Sequence, residues 1–387
     1  MRIAFITEHN TNDPIARSGV PFNIVKALKQ ENHEVTVIQV FDKRNIFERI
    51  HSRIFQFLIS LPFFGKNTFY DASYSTNTSR AYARSVPADK IAEYQLIITI
   101  SPKVIAYLPH KGKFILWLDN SITSFTAYPG MENFSDYSLS EAIKVEKRAF
   151  EKSHLIFVAS RFLKDSLTKE YPAIASKLRI MPRGANLRRF PKPGEVEIWI
   201  QQRMNTPILH LLHVVSGRWY SDRKGTKMVI EVYKILLKNT RVKLTILGDV
   251  PEEQLSELTS LGIHCSGKLN KETDEGIEGF YRIVSTAHFM FIPSKAEGFG
   301  IVYAEAAFTG MPSIALNVTG VPDAVKHGIT GWLLPENVNT NEMAAFIQEK
   351  WNLPNEYREM GYLAHEYAKE HFNWKKNIAS IVGQAAT

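Results

Sequence analysis

Short apolar runs alternate with amphipathic segments from the first residues of the chain onward. The run RIAFIT ends in polar residues and predicts a strand, and EVTVIQV predicts a second one. Between them, residues 21–29 place Phe22, Val25 and Leu28 at helical spacing. A strand, a helix and a strand in this order form a βαβ unit, which requires a parallel sheet.

The same alternation continues through the first half of the chain. Further strands are predicted at residues 96–100, 113–118, 155–159 and 177–181, and helices at residues 140–152 and 160–170. We therefore predict that the first half is a doubly wound α/β domain.

A proline-bearing stretch, FPKPGEVE from Phe190, interrupts this pattern and predicts a domain boundary. Beyond it, the runs ILHLLHVVS, VKLTILGD and AHFMFIPS predict strands, separated by helices at residues 228–237 and 252–261. We predict domains at residues 1–190 and 191–370, and a C-terminal helix at 371–387 that packs back on the first domain. Two such domains facing a central cleft surround one ligand site with the carboxyl ends of both sheets.

Length and composition agree with a two-domain soluble protein. The 387 residues exceed what one hydrophobic core usually serves, and 44% hydrophobic and 22% charged residues argue against disorder. The lone Cys265 cannot form an intramolecular disulfide. The first apolar run is too short for a signal peptide, and no segment reaches the roughly 18 apolar residues of a membrane span. We expect a cytoplasmic location.

The formal charge of +8 favours an anionic partner. A nucleotide diphosphate, an anionic membrane surface and a nucleic acid all fit, and charge alone does not choose among them. Because no recognised nucleic-acid motif or long basic stripe is present, we expect no nucleic-acid partner.

The segment SKAEGFGIVYAEAAFTGMPSIA carries the strongest candidate chemistry. It places Glu297 and Glu305 eight positions apart, with Gly298 and Gly300 between them. We interpret it as a strand end, a glycine turn and a helix start, where backbone N–H groups suit a phosphate. Glu297 can then bind sugar hydroxyls and Glu305 ribose hydroxyls. From spacing alone, two carboxylates that merely favour the start of a helix remain the simpler explanation.

The segment resembles the E-x7-E signature of the family-4 retaining glycosyltransferases of group 1. That resemblance includes GMP at residues 310–312, and it extends into NVTGVPDAVKHGITGWLLP. Thr319 and Gly320 stand where the family usually has two glycines, and Asp323 replaces the usual glutamate. The resemblance to this family implies the GT-B fold of two Rossmann-like domains. It also implies donor-binding roles for Gly298, Phe299, Gly300, Ile301 and both glutamates, with Glu297 catalytic.

A basic segment, SGRWYSDRKGTK, follows the first strand of the second half. Arg218 and Lys224 can present two fixed cations to a diphosphate, which gains negative charge as it departs. A solvated basic turn is the commoner origin of such a cluster. The resemblance implies that Arg218 and Lys224 bind the donor diphosphate and take part in catalysis, with Arg223 a weaker candidate for the same role.

Four further candidates come from the first half. Gly19 lies between a strand and a helix, where the family has a glycine-rich loop near the donor phosphate. Asp119 and Asn120 end a strand where many members have a catalytic-site histidine. We predict a catalytic role for Asp119 and an acceptor-side role for Asn120, for which an ordinary turn is an equal explanation. Asn186 is a second acceptor-side candidate.

Residues 43–66, KRNIFERIHSRIFQFLISLPFFGK, combine basic residues with a dense apolar set. The apolar residues include Phe47, Ile50, Ile54, Phe55 and Leu58. Such a segment can lie on an anionic membrane at the inner face, near a lipid-linked acceptor. Packing on the domain core is the commoner cause, and we favour it here.

The resemblance implies a retaining hexosyltransferase that moves a sugar from a UDP-, GDP- or ADP-sugar to a glycan, lipid-linked or small-molecule acceptor. The departing diphosphate is expected to assist deprotonation of the acceptor. We expect no bound cofactor and no metal, because no His or Asp cluster has ligand spacing. A sugar-nucleotide epimerase or hydrolase of the same fold is one alternative, and a non-catalytic nucleotide- or polyanion-binding protein is another.

Overall fold

The structure is a computed structural model. It describes residues 1–59, 71–87, 91–109, 112–126, 128–129, 134–215 and 222–386, apart from the side chains of Ser52, Ile59 and Asp222. The chain forms two compact units. Unit 1 comprises residues 1–181 together with 374–387, and unit 2 comprises residues 182–373.

Unit 1 is built on a six-stranded parallel sheet with the order β2-β1-β3-β4-β5-β6. The strands are β1 (Arg2–Thr7), β2 (Glu34–Gln39), β3 (Leu96–Thr99), β4 (Phe114–Leu118), β5 (Leu155–Val158) and β6 (Leu178–Ile180). The helices are α1 (Val20–Gln30), α2 (Ile46–Ile59), α3 (Thr76–Ser85), α4 (Pro102–Ile105), α5 (Ile122–Phe125), α6 (Asp136–Lys152) and α7 (Arg161–Glu170).

The central strands of unit 1 are apolar along most of their length. In β1, Ile3 pairs with Val35 of β2 on one side and with Leu96 of β3 on the other. β3 and β4 are buried at every position. Continuous apolar strands of this kind are typical of a parallel sheet that is covered on both faces.

Unit 2 repeats this architecture with the strand order β12-β11-β10-β7-β8-β9. Its strands are β7 (Leu209–Val214), β8 (Val242–Leu247), β9 (His264–Cys265), β10 (Phe289–Ile292), β11 (Ser313–Leu316) and β12 (Gly331–Leu334). Its helices are α8 (Glu195–Met204), α9 (Thr226–Leu236), α10 (Glu252–Ser260), α11 (Asp274–Val284), α12 (Ile301–Phe308), α13 (Val321–Ala324), α14 (Thr340–Trp351) and α15 (Pro354–His371).

Each sheet has one point where its strand order reverses. In unit 1 the reversal lies between β1 and β3, and in unit 2 between β7 and β10. The connections after these two strands run to opposite sides, which opens a crevice at their carboxyl ends. Open α/β sheets bind ligands in this crevice, so the residues that follow β1, β3, β7 and β10 are the first places to look for a site.

The C-terminal helix α16 (Trp374–Ala386) belongs to unit 1. Trp374 is buried, and its ring meets Trp117 edge-on with the ring centroids 5.4 Å apart. The Trp117 Nε1–H in turn donates to the carbonyl of Met181 at 2.9 Å. Trp374 is therefore a core residue of unit 1.

Most predicted elements are present, with bounds that shift by a few residues. The largest shift is in α6, which begins at Asp136 rather than at residue 140. Ser135 caps this helix by accepting the N–H of Ser138, so the cap lies one turn earlier than the apolar pattern suggested. Predictions for residues 60–66 and for Arg218 fall outside the described residues.

Most of the described part of the basic apolar segment forms α2, and most of its apolar residues do not pack on the core as we had favoured. Phe47, Ile50 and Ile54 are all exposed, whereas Phe55 is half-buried and stacks on Tyr137. Within the part of the chain that the structure describes, no helix is both long enough and apolar enough to cross a membrane.

Candidate functional site

Glu297 lies in the loop after β10, at the point where the sheet of unit 2 reverses. Its side chain is buried, with 7% of the residue exposed. Lys224 Nζ lies 2.6 Å from one carboxylate oxygen, and Arg223 Nη1 lies 3.1 Å from the other. The Ser294 hydroxyl donates to the same carboxylate at 3.0 Å. Arg223 and Lys224, which were predicted as cations for a diphosphate, therefore both pair with Glu297.

These contacts decide the charge of Glu297. Burial by itself raises the pKa of this carboxyl, but Lys224 and Arg223 outweigh it and hold the pKa below its ordinary value. The side chain is thus ionised at neutral pH and held by hydrogen bonds in one position. A fixed, ionised carboxylate is suited to accept hydrogen bonds from hydroxyl groups.

Lys224 reaches Glu297 because two hydrogen bonds of Arg223 join the loop after β7 to the loop after β10. The carbonyl of Arg223 accepts the N–H of Lys295 at 2.8 Å, and Arg223 Nη1 donates to the carbonyl of Ala296 at 3.1 Å. Gly225 follows with a positive φ of 67°, and a Cβ there would lie 2.3 Å from the carbonyl oxygen of Pro293. Glycine is therefore required for the chain to pass this close before α9 begins.

The loop before α13 closes around the backbone of Glu297. The Thr319 hydroxyl accepts the N–H of Glu297 at 2.8 Å and donates to its carbonyl at 2.9 Å. Thr319 has a φ of 43°, a conformation that usually favours glycine. The next residue must be Gly320, because a Cβ there would lie 2.1 Å from the carbonyl oxygen of Gly298. Threonine in place of the family's first glycine thus adds two hydrogen bonds.

Glu305 is the fifth residue of α12 and is 2% exposed. Its carboxylate contacts Lys271 Nζ and accepts a hydrogen bond from the backbone N–H of Asn186. Burial nevertheless raises the pKa of Glu305, because one lysine and one amide do not offset the desolvation. Asn186, predicted on the acceptor side, therefore lies in unit 2 beside Glu305.

Residues 298–301, which lie between the two glutamates, contribute either backbone groups or core packing. Gly300 caps α12, and Ile301 begins it; both are partly exposed, so the free N–H groups of the first turn lie at the surface of the unit. Phe299 is buried and meets Phe372 edge-on at 5.7 Å. Its side chain packs in the core, which leaves its backbone as the part available to a ligand, together with that of Gly298.

In unit 1, the reversal point carries a second charged pair. Glu8 follows β1, and Lys103 lies in α4 after β3, with Lys103 Nζ 3.3 Å from the carboxylate. Ser101 Oγ donates to Glu8 at 3.0 Å. Burial alone raises the pKa of Glu8, but Lys103 and His9 reverse the shift and lower it. This pair lines a cavity of about 110 Å³.

The predicted residues of unit 1 lie around this cavity or beside it. Asp119 raises the pKa of Arg17, which lines the cavity, as does Asn120. Asn120 accepts a hydrogen bond from the Tyr128 hydroxyl at 2.6 Å. Gly19 has a φ of 73° and caps α1. The strand end and the loop before α1 thus meet at the same edge of the sheet.

The second unit has known relatives. Residues 212–367 match the model of the family Glycosyl transferases group 1. Unit 2 carries a group 1 glycosyltransferase domain. The matched segment contains Lys224, Glu297 and Glu305, so the geometry described above is that of residues within this domain. The resemblance drawn from the sequence is confirmed at the level of group 1.

Individual relatives agree with this domain assignment. The chain is 27% identical over 228 residues to the D-inositol 3-phosphate glycosyltransferase of Streptomyces bingchenggensis, covering 56% of this chain and 49% of that protein. It is 27% identical over 174 residues to the N-acetyl-alpha-D-glucosaminyl L-malate synthase of Bacillus anthracis, covering 44% of this chain and 43% of that protein. The chain thus spans about half the length of these curated relatives, or less.

Solved structures establish the fold over the whole chain. Anabaena Alr3699/HepE in complex with UDP and glucose matches with a TM-score of 0.66 at 17% identity and covers 100% of both chains. The sucrose-phosphate synthase of Thermosynechococcus elongatus matches with a TM-score of 0.70 at 19% identity, covering 99% of this chain and 97% of that one. The predicted GT-B fold, with two Rossmann-like parallel sheets, is confirmed.

Sequence reasoning missed several residues around the group 1 domain's carboxylates and in unit 1. Lys271 belongs to no segment that we singled out, since it reaches Glu305 only through the fold. Glu8 and Lys103 lie 95 positions apart in sequence and were missed for the same reason. A charged residue directly after a predicted parallel strand was the available signal, and Glu8 satisfies it.

Proposed function

We propose that this protein is a retaining glycosyltransferase that moves a sugar from a nucleotide-sugar donor to an acceptor hydroxyl without a metal ion. The observation that carries the proposal is Glu297, an ionised carboxylate held between Lys224 and Arg223 beside the exposed start of α12. Membership of unit 2 in the group 1 family supports a transferase. The family-4 subclass and the transfer of a hexose are parts of the same proposal.

We assign the donor to unit 2. Glu297 accepts hydrogen bonds from sugar hydroxyls, Glu305 from ribose hydroxyls, and the first N–H groups of α12 bind phosphate oxygens. Lys224 adds a fixed positive charge, together with Arg218, which lies outside the described residues. UDP is the first nucleotide to test because Alr3699/HepE was solved with UDP and with UDP-glucose. GDP- and ADP-sugars are the other two candidate donors.

The reaction follows from where charge develops. As the bond between the anomeric carbon and the diphosphate breaks, negative charge accumulates on the departing phosphate oxygens. Lys224 and the amides at the start of α12 stabilise that charge, which lowers the barrier without reorganisation of the site. The acceptor hydroxyl attacks from the face that the diphosphate leaves and gives its proton to a phosphate oxygen, so the anomeric configuration is retained.

We assign the acceptor to unit 1. Asp119 and Asn120 follow β4 near the Glu8–Lys103 pair, where carboxylate and amide groups can orient a hydroxylated molecule. Two curated relatives are named for acceptors that carry both hydroxyl and anionic groups, inositol 3-phosphate and malate. An acceptor of this class, free or attached to a glycan or lipid, fits the cations Arg17 and Lys103.

The test is a donor screen followed by product analysis. UDP-, GDP- and ADP-sugars are compared for concentration-dependent thermal stabilisation, since a ligand of the folded state alone raises its stability. The stabilising donor is then incubated with candidate acceptors, with and without EDTA, and the anomeric configuration of the product is read by NMR. Glu297→Gln is the matched control.

Each alternative gives a different result in this test. Donor turnover that is equal with and without acceptor favours an epimerase or hydrolase of the same fold. Stabilisation by nucleotides with no turnover under any condition favours a non-catalytic binding protein. Stabilisation by none of the three donors contradicts the proposal, and loss of turnover in EDTA contradicts its metal-free part.

A further inference from the structure

The helix α2 presents an apolar surface to solvent. We define the α2 apolar face by five side chains whose residues are between 40% and 79% exposed: Ile46, Phe47, Ile50, Ile54 and Leu58. At about 100° per residue, these five positions fall within one arc of roughly 120°. Scattered exposed apolar residues are ordinary, but a continuous set on one helix marks an interaction surface.

Contacts on the opposite side of α2 attach the helix to unit 1 and set the direction in which this face points. Phe55 stacks on Tyr137 of α6, with their ring centroids 4.5 Å apart. Glu48 binds Arg84 of α3 at 2.7 Å, and its backbone N–H donates to the Asn45 side chain at 2.9 Å. These contacts hold α2 on unit 1 by its half-buried side, so the α2 apolar face points away from the unit.

The charged residues of α2 that border its apolar face are arginines. Arg49 and Arg53 lie along one border of the arc, and Lys43 precedes the helix. Glu48 is the single acidic residue of the helix sequence, and it faces the unit and is paired with Arg84. A protein partner for such a face would need an apolar groove with an acidic rim. An anionic bilayer supplies the acidic headgroups and the apolar interior over any area.

We propose that the α2 apolar face docks unit 1 on an anionic lipid bilayer. The 14 residues of α2 span about 21 Å, which is shorter than a bilayer's hydrocarbon core, so the helix lies in the plane of the interface with its arginines at the headgroups. This docking does not depend on the proposed transferase activity. If both hold, docking brings the protein to acceptors carried at a membrane surface, and that consequence rests on the proposed function.

The test is flotation of the full chain with vesicles. Vesicles of equal parts phosphatidylcholine and phosphatidylglycerol are compared with vesicles of phosphatidylcholine alone, at low and high salt. We expect the protein to float with the anionic vesicles at low salt and to remain unbound with phosphatidylcholine alone, since the arginines and lysines act through screened charge.

Two variants separate the apolar and the charged contributions. Phe47→Ser/Ile54→Ser removes two side chains from the α2 apolar face, and we expect at least about a tenfold loss of vesicle partitioning. Arg49→Glu/Arg53→Glu reverses the border charge, and it should abolish the preference for anionic vesicles. The matched control is Ile198→Ser in unit 2, since Ile198 is 56% exposed and Ile54 is 52% exposed. The control should partition like the unchanged protein.

Three outcomes would overturn the proposal. The first is an unchanged protein that does not float with anionic vesicles at low salt. The second is an equal loss in Ile198→Ser and Phe47→Ser/Ile54→Ser. The third is a dimer in solution that Phe47→Ser/Ile54→Ser dissociates while vesicle binding is absent, which would assign the face to a second copy. Thermal stabilisation by UDP, measured without vesicles, reports separately on the proposed donor site.

Discussion

In each unit, a glutamate–lysine ion pair joins the loops that follow the two strands at the reversal point of the sheet. The two residues occur in opposite sequence order in the two units. In unit 1 the glutamate, Glu8, follows the first strand and the lysine, Lys103, follows its neighbour. In unit 2 the lysine, Lys224, follows the first strand and the glutamate, Glu297, follows its neighbour. In both pairs the cation overcomes burial and lowers the pKa of the carboxyl.

The two pairs differ in their surroundings. Glu297 has a second cation, Arg223, and its backbone is bound by Thr319, so both the charge and the position of the carboxylate are fixed. Glu8 has a hydroxyl donor, Ser101, and a neighbouring His9, whose imidazole also lies near its carboxylate. The carboxylate of Glu297 is therefore fixed in one geometry by several groups, whereas the carboxylate of Glu8 borders a cavity.

The largest expected effect is at Glu297. Glu297→Gln keeps the shape and the hydrogen bond from Ser294 but removes the charge that Lys224 and Arg223 surround. We expect donor-dependent transfer to fall by about 100-fold or more, because the variant loses an interaction with the reacting sugar. Steady-state kinetics with the donor found in the screen measures this change. An unchanged rate would show that Glu297 is not part of the site.

Glu8→Gln in unit 1 tests whether the two glutamate–lysine pairs differ in function. Glu8→Gln should lower transfer by less than about tenfold and act through the KM of the acceptor, since Glu8 lines the cavity of unit 1, to which we assign the acceptor. UDP affinity should stay unchanged, which also checks that unit 2 is intact. If Glu8→Gln lowers transfer as far as Glu297→Gln, the proposed difference between the pairs is wrong.

A stability effect is expected at Glu146, a buried carboxyl of α6 that lines the cavity of unit 1. Its carboxylate oxygen accepts the N–H of Ile122 at 2.7 Å, and burial raises its pKa to about 8. In the unfolded chain the group loses its proton near its ordinary pKa. The free energy of unfolding therefore falls as pH rises from about 4.5 to about 8. Above about pH 8, Glu146 causes no further change.

Glu146→Gln removes this dependence while keeping the amide oxygen as an acceptor. We expect the variant to gain on the order of 2–3 kcal/mol relative to the unchanged protein at pH 7 and to gain little at pH 4.5. Urea unfolding at the two pH values measures the difference. Equal gains at both would show that the carboxyl is ionised in the folded protein.

A smaller effect is expected at Glu305, the second carboxylate of unit 2. Glu305→Gln should weaken UDP binding about tenfold, because a hydrogen bond from the ribose to a charged group becomes one to a neutral group. Inorganic pyrophosphate should bind equally to both proteins, since it has no ribose. Calorimetric titration measures both affinities. Weaker pyrophosphate binding would assign Glu305 to the phosphates.

The smallest effect is expected at Asn120, which already holds the Tyr128 hydroxyl. Asn120→Ala should raise the KM of the acceptor about threefold and leave the affinity for UDP unchanged, since one neutral hydrogen bond is lost. Thermal unfolding checks that the loop is intact. A change in UDP affinity instead would remove Asn120 from the acceptor side.

Much of the fold followed from the sequence because apolar periodicity is local. The strands β1 to β5 and the helix α7 lie within a few residues of their predicted positions, and Ser160 caps α7 just before its first residue. The roles of Glu297 and Glu305 were predicted through one short motif, and that of Lys224 through a separate basic segment. The convergence of Lys224 and Arg223 on the carboxylate of Glu297 was not predicted, because it depends on the pairing of β7 with β10.

Other features had no local signal. The hydroxyl of Thr319 occupies a position where the sequence suggested only a missing glycine, and its two hydrogen bonds require the loop before α13 to lie against Glu297. The apolar residues of α2 were expected to pack, since an amphipathic helix usually buries its apolar face. Their exposure depends on Phe55 and Glu48, which bind unit 1 from the other side.

The sequence by itself determined the elements, the two parallel sheets and the two candidate carboxylates, Glu297 and Glu305, because hydrophobic spacing and a short motif depend only on local sequence. Only the tertiary structure decided which charges meet. Lys103 reaches Glu8, Lys271 reaches Glu305, and Lys224 reaches Glu297 across separations that no spacing rule covers. Buried ionisable groups depend on the partner that the fold places within a few ångströms, and that partner sets both their charge and their position.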